Sequence, residues 1–333
     1  MINYYRLIFL IVILNDIVKL NETGYEINLL EAIWMTREAK VISFINMKGG
    51  VGKTTLCREI ALYLSERYER NDESSVKVLL IDIDPQANLT QSLLEKFSKE
   101  TTYYKENGDI DYKCSVDNIF KQEMVGMTRK HVIQELNENL DLIPGELETI
   151  FLQRQQNPST PNKLMDYIID EKLRSEYDYI FLDCPPTYSV YTEMSFYTSD
   201  YYFVPAVPDA YSVLGVDLLE RVVKDIVYSQ RNTIFKDSQP KNLGVMWTRV
   251  HLTAKPKQAE FMQGLETADI VINNKIHIFE SIFSESNKLS TSTFDKSIVD
   301  RNDKSLDEMM TNICDEFIRR IEVVESDSIV EEA

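Results

Sequence analysis

The sequence predicts an α/β fold in which helices cover both faces of a doubly wound, mostly parallel sheet. Short apolar runs rich in β-branched residues alternate along the chain with longer segments of helical periodicity. The runs show little polar alternation, which is typical of strands that are buried on both faces. Because such strands alternate with helices, a parallel sheet is expected. The predicted strands are residues 41–45, 76–83, 140–143, 179–184, 202–207, 243–247 and 276–279.

Helical periodicity is clearest in three segments. Residues 53–68 and 211–230 each follow a predicted strand, and a third segment lies near the C-terminus. Apolar residues that recur every four positions predict one shared face on the second helix: Leu214, Leu218, Val222 and Ile226. Apolar residues at helical spacing predict that the third helix packs on the sheet: Leu306, Met309, Ile313, Phe317 and Ile321.

The predicted domain occupies residues 40–325, with an extension at 1–39 and an acidic tail at 326–333 that is expected to be disordered. The polar stretch at 97–113 is interpreted as a surface insertion. The apolar run at 7–14 is far shorter than the roughly 20 residues that span a bilayer. We favour a translation start at Met35, which would remove this run; an extra docking element and a membrane anchor are the alternatives.

Charge and cysteine usage restrict the functional class. Lys and Arg number 36 against 54 Asp and Glu, so the formal net charge is −18 and the surface as a whole repels nucleic acid and anionic lipid. Any DNA contact therefore requires a local basic patch. The four cysteines form no C-x-x-C pair and the three histidines are scattered, which favours a reducing, cytoplasmic compartment without a disulfide framework or zinc site.

The segment NMKGGVGKTTL, residues 46–56, predicts a phosphate-binding loop between a strand and a helix. Its glycines allow backbone N–H groups to face an anion at the helix N-terminus. Lys53 is expected to reach the β- and γ-phosphates of ATP, and the Thr54 hydroxyl to ligate Mg²⁺. The predicted nucleotide-binding residues here are Lys48, Gly49, Gly50, Val51, Gly52, Lys53, Thr54 and Thr55.

This loop departs from the usual pattern G-x-x-x-x-G-K-S/T. Met47 stands where the first glycine is expected, and Lys48 adds a second positive charge. One lysine already serves the phosphates, so Lys48 either stays solvated or reaches outward. The residues alone favour a solvated lysine.

Carboxylates follow two of the predicted strands. Asp82 and Asp84 are two positions apart and therefore lie on the same side of an extended chain. Asp183 ends the run YDYIFLD, the arrangement in which a carboxylate holds Mg²⁺ through water. Ligands of such sheets bind at the carboxyl ends of the strands, so all three are expected near the phosphate loop.

The motif KGGVGKTT resembles the deviant Walker A motif of the ParA/MinD superfamily of P-loop partition ATPases, which includes Soj-type proteins. The segment DIDPQAN, residues 82–88, is similar to the family's D-x-D-P-Q-x-N, with Ala87 where glycine is more usual. The segment DCPP, residues 183–186, matches the family's D-x-P-P. The resemblance extends over nearly the whole chain from Met35.

The resemblance implies roles for individual residues. Lys48 crosses the interface of an ATP-sandwich homodimer and contacts the partner's nucleotide. Asp84 positions or activates the attacking water, while Asp82 supports the magnesium shell. The implied catalytic set is thus Lys48, Lys53 and Asp84, and the implied metal set is Thr54, Asp82 and Asp183. In the segment LGVMWTRV, Thr248 and Arg249 are candidate neighbours of the adenine.

The resemblance also implies a function: hydrolysis of ATP to ADP and phosphate with Mg²⁺, nonspecific binding to DNA of the nucleoid, and stimulation by a centromere-binding, ParB-like adaptor. Glu280 and Glu285 stand where basic residues are expected for DNA binding. The remaining candidates for DNA contact are Lys255, Lys257, Lys288 and Lys296.

Three alternatives belong to other functional classes. A MinD-like ATPase of the membrane surface normally needs a basic amphipathic C-terminal helix, whereas this C-terminus is acidic, so no stable membrane anchor is expected. A bacterial tyrosine autokinase needs a C-terminal tyrosine cluster, but the last tyrosine is Tyr228. A metal-cluster carrier is disfavoured because C-x-x-C is missing.

Overall fold

The computed structural model describes residues 38–68, 70, 74–105, 110–121, 128–147, 159–251, 256–285 and 296–331. The predictions for residues 1–37, Lys255 and Lys288 lie outside these ranges. Within them, no helix is both long and apolar enough to cross a membrane.

An eight-stranded sheet forms the centre of the fold, in the order β10-β9-β8-β1-β7-β2-β6-β5. Every neighbouring pair is parallel except β5 and β6, which are antiparallel. The predicted fold class is confirmed. The strands are β1 (Lys40–Phe44), β2 (Val78–Asp82), β5 (Gln134–Asn137), β6 (Leu140–Ile143), β7 (Tyr179–Asp183), β8 (Tyr201–Ala206), β9 (Lys241–Val250) and β10 (Phe283–Ser284).

Helices cover both faces of this sheet. Successive side chains of a strand point to opposite sides, and here both sides are apolar, so each face needs its own covering layer. Along β1, Val41 belongs to one apolar core, whereas Ile42 and Phe44 belong to the other. The helices are α1 (Lys53–Glu66), α2 (Asn88–Phe97), α3 (Asp117–Phe120), α4 (Lys163–Asp170), α5 (Val190–Thr198), α6 (Ser212–Ser229), α7 (Pro256–Glu266), α8 (Asp269–Asn273) and α9 (Lys304–Glu331).

The predicted insertion at 97–113 contains a small separate sheet. Strands β3 (Thr102–Tyr104) and β4 (Ile110–Lys113) pair antiparallel and form no part of the main sheet. The rings of Tyr103 and Tyr112 stack across the pair, with centroids 4.4 Å apart. Phe97 belongs to the preceding helix α2.

The last predicted strand, residues 276–279, is wrong. Ile278 makes only an isolated bridge to Val245 of β9, and the true edge strand β10 follows at Phe283–Ser284. Gly244 explains the close approach, because a Cβ there would lie 2.6 Å from the carbonyl oxygen of His277. The chain therefore runs parallel to β9 at this point and forms a single bridge, with backbone hydrogen bonds from Val245 to His277 and from Phe279 to Val245, but no regular ladder.

The apolar face predicted for α6 also needs correction. Leu214 and Leu218 are 62% and 48% exposed, while the buried apolar residues are Val216, Leu219, Val223 and Ile226. At 3.6 residues per turn, a strict four-residue repeat drifts by about 40° at each step, so it leaves the core. Residues that are alternately three and four positions apart remain on the buried face.

Helix α9 is confirmed as an amphipathic helix that packs on the sheet. Leu306, Ile313, Phe317 and Ile321 are all buried, and Met309 packs against the same core. The ring of Phe317 stacks on that of Phe44 in the central strand, with centroids 6.2 Å apart. The helix continues to Glu331, into the segment expected to be disordered.

Candidate functional site

The phosphate loop lies between β1 and α1, at the carboxyl edge of the sheet. Gly50 and Gly52 have φ angles of 73° and 84°, a left-handed conformation that glycine adopts without steric cost. Helix α1 begins at Lys53, and its first intrahelical bond runs from the Leu56 N–H to the Gly52 carbonyl at 2.9 Å. The N–H groups before it have no intrahelical acceptor, so they are available to an anion.

Asn46 fixes the start of this loop, a role that the sequence reading missed. Its side-chain amide donates to the Pro205 carbonyl of β8 at 2.8 Å, and its Oδ1 accepts the Lys48 N–H at 2.9 Å. Asn46 is buried. An asparagine directly after the predicted apolar strand at 41–45 was the available signal.

Lys53 is 6% exposed, and its ammonium donates to the Lys48 carbonyl at 3.3 Å. Burial lowers the pKa of Lys53, and the nearby carboxylates Asp183 and Asp84 act in the opposite direction. The structure therefore brings the predicted phosphate-binding lysine together with two of the predicted carboxylates.

Asp82 and Asp183 end neighbouring strands and are register partners of β2 and β7. Both are completely buried. Among the described residues, neither carboxylate oxygen of Asp183 has a hydrogen-bond partner of normal geometry. Burial and the neighbouring Asp82 raise the pKa of Asp183 well above its usual range, whereas the Thr54 hydroxyl and Lys53 lower it.

An unpartnered buried carboxylate beside a threonine hydroxyl fits Mg²⁺. Magnesium keeps several waters and takes one or two protein ligands together with substrate phosphates. The described residues contain no cluster of three or more histidine, cysteine or acidic side chains that could hold a metal by themselves. The donors present thus suit a metal that arrives with a nucleotide better than a closed metal cage.

Asp82 is engaged with the start of α2. Its Oδ2 accepts the backbone N–H and the hydroxyl of Thr90 at 2.9 and 2.7 Å, and its Oδ1 accepts the Asp84 N–H at 3.2 Å. Burial raises the pKa of Asp82 to about 7, although the bonds from Thr90 oppose this. Thr90, which the sequence reading missed, also accepts the Gly145 N–H at 2.8 Å.

Asp84 lies at the rim of the same group and is 9% exposed. Its Oδ1 accepts the Gln86 N–H at 2.9 Å, which holds the turn that leads into α2. In that turn Ala87 has a φ of 51° and a ψ of 32°, in the left-handed region. The residue that replaces the family's glycine thus adopts the backbone conformation that glycine favours.

Thr248 and Arg249, the candidate adenine neighbours, both touch the phosphate loop. The Thr248 hydroxyl lies 2.7 Å from the Val51 carbonyl, and an Arg249 guanidinium nitrogen lies 2.9 Å from the Gly50 carbonyl. Both residues belong to the end of β9. The structure therefore places them at the predicted nucleotide site.

Lys48 forms an ion pair with Asp209, in the segment between β8 and α6, and its ammonium lies 5.9 Å from the centre of the Tyr211 ring. The reading of Lys48 as a free, solvated lysine is therefore incomplete. Its side chain is 34% exposed, so it is still reachable from outside. The sequence reading missed both Asp209 and Tyr211.

The predicted DNA contacts within the described residues are Lys257 and Lys296, and both are exposed. Glu280 and Glu285 are exposed as well, and a Glu285 oxygen lies 3.1 Å from the ring nitrogen Nδ1 of His251. Cys184, next to Asp183, is buried, and burial raises the pKa of its thiol to about 12. This thiol is therefore suited to packing.

Comparison with protein families gives a match for residues 39–236. The matching family model, AAA_31, is described as an AAA domain and covers more than half of the chain. The chain belongs to the AAA_31 family. The resemblance to ParA/MinD-type P-loop ATPases, predicted from the motifs, is confirmed.

Related sequences are about 30% identical to this AAA_31 protein within the aligned segments. The Bacillus subtilis sporulation initiation inhibitor protein Soj is 31% identical over 58% of this chain and 68% of its own. An uncharacterized Methanocaldococcus jannaschii protein is 31% identical over 59% of this chain and 70% of its own. The Chlamydia psittaci virulence plasmid ParA family protein pGP5-D is 28% identical over 56% of this chain and 64% of its own. Because these alignments leave about a third of each relative unmatched, whole-protein activities are proposals.

Solved structures agree in fold. McdA of Cyanothece, an aspartate-to-alanine variant in complex with ATP, has a TM-score of 0.65 at 19% identity and covers 84% of this chain and 96% of its own. A Borrelia burgdorferi B31 plasmid partition protein bound to AMPPNP has a TM-score of 0.63 at 23% identity and covers 85% and 100%. At these identities the likeness shows the fold alone.

Proposed function

We propose that this chain is a partition ATPase that hydrolyses ATP with Mg²⁺, dimerises around the nucleotide and moves DNA in the cytoplasm. The observation that carries the proposal is the convergence of buried Lys53 with Asp183 and Asp84 beside a glycine-rich loop. The sequence similarity to Soj and to the Chlamydia ParA family protein supports the partition function.

In the proposed chemistry each group of the site has its own role. Backbone N–H groups of the loop and the Lys53 ammonium bind the phosphates, which stabilises the charge that develops on them during transfer. Thr54 and Asp183 would hold Mg²⁺, which neutralises phosphate charge when bound. Asp84, the most exposed of the three carboxylates, orients the attacking water. Asp82 supports this arrangement through Thr90 and the turn to α2.

Dimerisation is the finer part of the proposal. The side chain of Lys48 reaches across the interface and contacts the nucleotide of a second copy, so that ATP completes the interface. The ATP-bound dimer binds nucleoid DNA without sequence preference through exposed lysines such as Lys257 and Lys296. A centromere-binding, ParB-like adaptor stimulates hydrolysis and resets the cycle. The adaptor and the DNA contact are inferred from the family resemblance.

Turnover of ATP by a Lys53→Ala variant tests the site. We expect the activity to be lost, because the lysine lies in the loop that binds the phosphates. Lys236→Ala serves as the matched control, since it also removes one lysine but lies at an exposed position after α6, away from the phosphate loop. Undiminished turnover in Lys53→Ala would refute the phosphate-loop assignment.

The dimer is tested in Asp84→Ala, which is expected to retain ATP without hydrolysing it. Size-exclusion chromatography with ATP should show a dimer that a further Lys48→Ala substitution abolishes. A dimer that persists without Lys48 would remove the proposed role of this lysine.

Retention on DNA, measured against salt with ATP and with ADP, tests the partition function. Contacts to phosphate dominate nonspecific binding, so retention should depend on ATP and fall steeply as salt rises. Equal and negligible retention in both nucleotide states would leave the ATPase assignment intact but end the proposal that this chain moves DNA.

A further inference from the structure

Two side chains at the end of β9 contact backbone carbonyls of the phosphate loop. Thr248 is completely buried, and its hydroxyl lies 2.7 Å from the Val51 carbonyl and 3.2 Å from the Ala206 carbonyl. A hydroxyl has one proton to donate. The shorter distance assigns that proton to Val51, so Thr248 ties the loop to the sheet.

Arg249 makes the second contact from an unusual backbone conformation. Its φ is 54°, and the left-handed region costs an L-residue about 1–2 kcal/mol. Its guanidinium donates to the Gly50 carbonyl at 2.9 Å, while its own carbonyl accepts from the Gln258 side chain at 3.3 Å. Arg249 is therefore a left-handed position inside the last residues of β9 (Lys241–Val250), and the guanidinium reaches the loop from there.

These two contacts orient the N–H groups of the loop. A planar trans peptide directs its C=O and its N–H to opposite sides. The Gly50 carbonyl shares a peptide with the Val51 N–H, and the Val51 carbonyl shares one with the Gly52 N–H. Because both carbonyls are held toward β9, both N–H groups are directed away from it. Successive N–H groups around left-handed glycines form the anion-binding concavity of phosphate loops.

We propose that Thr248 and Arg249 are positioning residues that hold the phosphate loop by its carbonyls in the conformation that binds anions. The proposal rests on the proposed nucleotide site and replaces the expectation that the two residues neighbour the adenine. It has a distinctive consequence. The contacts should strengthen binding of the phosphate chain by the same factor whichever base the nucleotide carries.

The test compares three ligands with wild type, Thr248→Val and Thr248→Ser. Valine keeps the shape of threonine but removes the donor, whereas serine keeps it. Dissociation constants for ATP, GTP and inorganic tripolyphosphate are measured by competition against a fluorescent ADP analogue. We expect Thr248→Val to weaken the binding of all three ligands by the same factor, about three- to tenfold for one lost hydrogen bond. Thr248→Ser should bind them as the wild type does.

Arg249→Met provides a second variant, because Arg249 is exposed and its loss should not unfold the chain. It should weaken the binding of the same three ligands by an equal factor. Thr267→Val, at an exposed position beyond α7, is the matched control and should change none of them. Thermal unfolding of each variant separates a loss of binding from a loss of fold.

Two results would overturn the proposal. Unchanged affinities in both Thr248→Val and Arg249→Met would show that the loop does not need these contacts. A changed ratio of ATP to GTP affinity with unchanged tripolyphosphate affinity would assign the residues to the base instead. Failure of wild type to bind any of the three ligands would contradict the proposed nucleotide site itself, so the two failures are distinguishable.

Discussion

Lys48 and Asp209 form an ion pair within one chain, although they are 161 positions apart. Partial burial opposes ionisation of Asp209, yet the hydrogen bond from Lys48 and the Tyr211 N–H hold its pKa below the usual value. In the proposed dimer, Lys48 must leave this carboxylate before it reaches a partner's nucleotide. Asp209 therefore competes with the second copy for the same ammonium.

Removal of the Asp209 charge should strengthen the ATP-dependent dimer. In Asp209→Asn, the remaining Oδ1 still accepts the Tyr211 N–H, which is 2.9 Å away in the wild type. Both partners are about one-third exposed, so the pair contributes little, roughly 0.2–1 kcal/mol. Because each copy of the homodimer loses one such pair, the two together amount to about 0.4–2 kcal/mol, and we expect the dimer dissociation constant to fall by about two- to thirtyfold. Sedimentation velocity with ATP in an Asp84→Ala background measures it.

The matched control is Asp217→Asn, which removes an ion pair with Arg221 on the exposed side of α6. It should leave the dimer unchanged. A dimer that is equally stable or weaker in Asp209→Asn would contradict competition for Lys48.

Ala87→Gly should stabilise the protein. Ala87 immediately precedes α2 and lies in the left-handed region, with φ 51°, which disfavours any residue with a Cβ. Glycine relieves this cost but makes the unfolded chain more flexible, so the net gain in unfolding free energy should be about 0.5–1 kcal/mol. Urea unfolding measures the gain.

The same substitution at Ala259 is a control of opposite sign. Ala259 is exposed within helix α7, where glycine should cost about 0.5–1 kcal/mol. Loss of stability in Ala87→Gly would mean that the turn does not need the left-handed conformation in solution.

The strands that hold the site were predictable because each is a short apolar run with its own boundaries. β1, β2 and β7 lie within one or two residues of the predicted runs, and they place Asp82, Asp183 and the loop at one edge. β5 was missed because it is a four-residue edge strand, QELN, of which alternate residues are buried. Such a pattern is too short to separate from a loop.

The contacts between distant segments could not be predicted. Asn46 binds Pro205 and Lys48 binds Asp209 across about 160 positions, and no local pattern identifies such partners. The face of α6 was wrong for a different reason. The prediction followed the strict four-residue repeat that contains Leu214 and Leu218, whereas the buried residues, Leu219 among them, follow the alternating spacing of three and four.

Gly145→Ala should disturb the carboxylate that lies beside it. A Cβ at Gly145 would lie 2.9 Å from both the Cγ and the backbone oxygen of Asp82, and the backbone oxygen cannot move aside easily. We expect a loss of about 1–3 kcal/mol in unfolding free energy and weaker binding of ATP with Mg²⁺. Urea unfolding and nucleotide titration measure the two effects.

Gly264→Ala is the matched control, because nothing lies within 4 Å of a Cβ at this exposed position in α7. Alanine should stabilise the helix by about 1 kcal/mol or less. Equal behaviour of the two variants would show that Gly145 is not restricted by Asp82.

The buried Asp141 predicts a specific dependence of stability on pH. Asp141 lies in β6, is 5% exposed, and accepts the Tyr177 hydroxyl at 2.5 Å. Burial raises its pKa, and the Tyr177 hydroxyl, Lys77 and Arg129 lower it, while Glu135 raises it further. The folded state therefore keeps a proton that the unfolded chain releases above a pKa of about 3.9.

It follows that Asp141 costs stability as the pH rises from about 4 through its folded-state pKa, and has no such effect below both values. Asp141→Asn cannot titrate. The unfolding free energy of wild type minus that of Asp141→Asn should therefore decrease over this interval, by about 1.4 kcal/mol for each pKa unit of the shift. Urea unfolding at several pH values between 4 and 8 measures this difference.

Tyr177→Phe sharpens the test, because it removes a hydrogen bond that favours the ionised form of Asp141. In that background the folded-state pKa of Asp141 rises further, so the decrease relative to the Tyr177→Phe, Asp141→Asn double variant should be larger and extend to higher pH. A difference that rises with pH would mean that Asp141 is stabilised as a carboxylate in the folded protein, and burial would then not be the dominant influence on its ionisation.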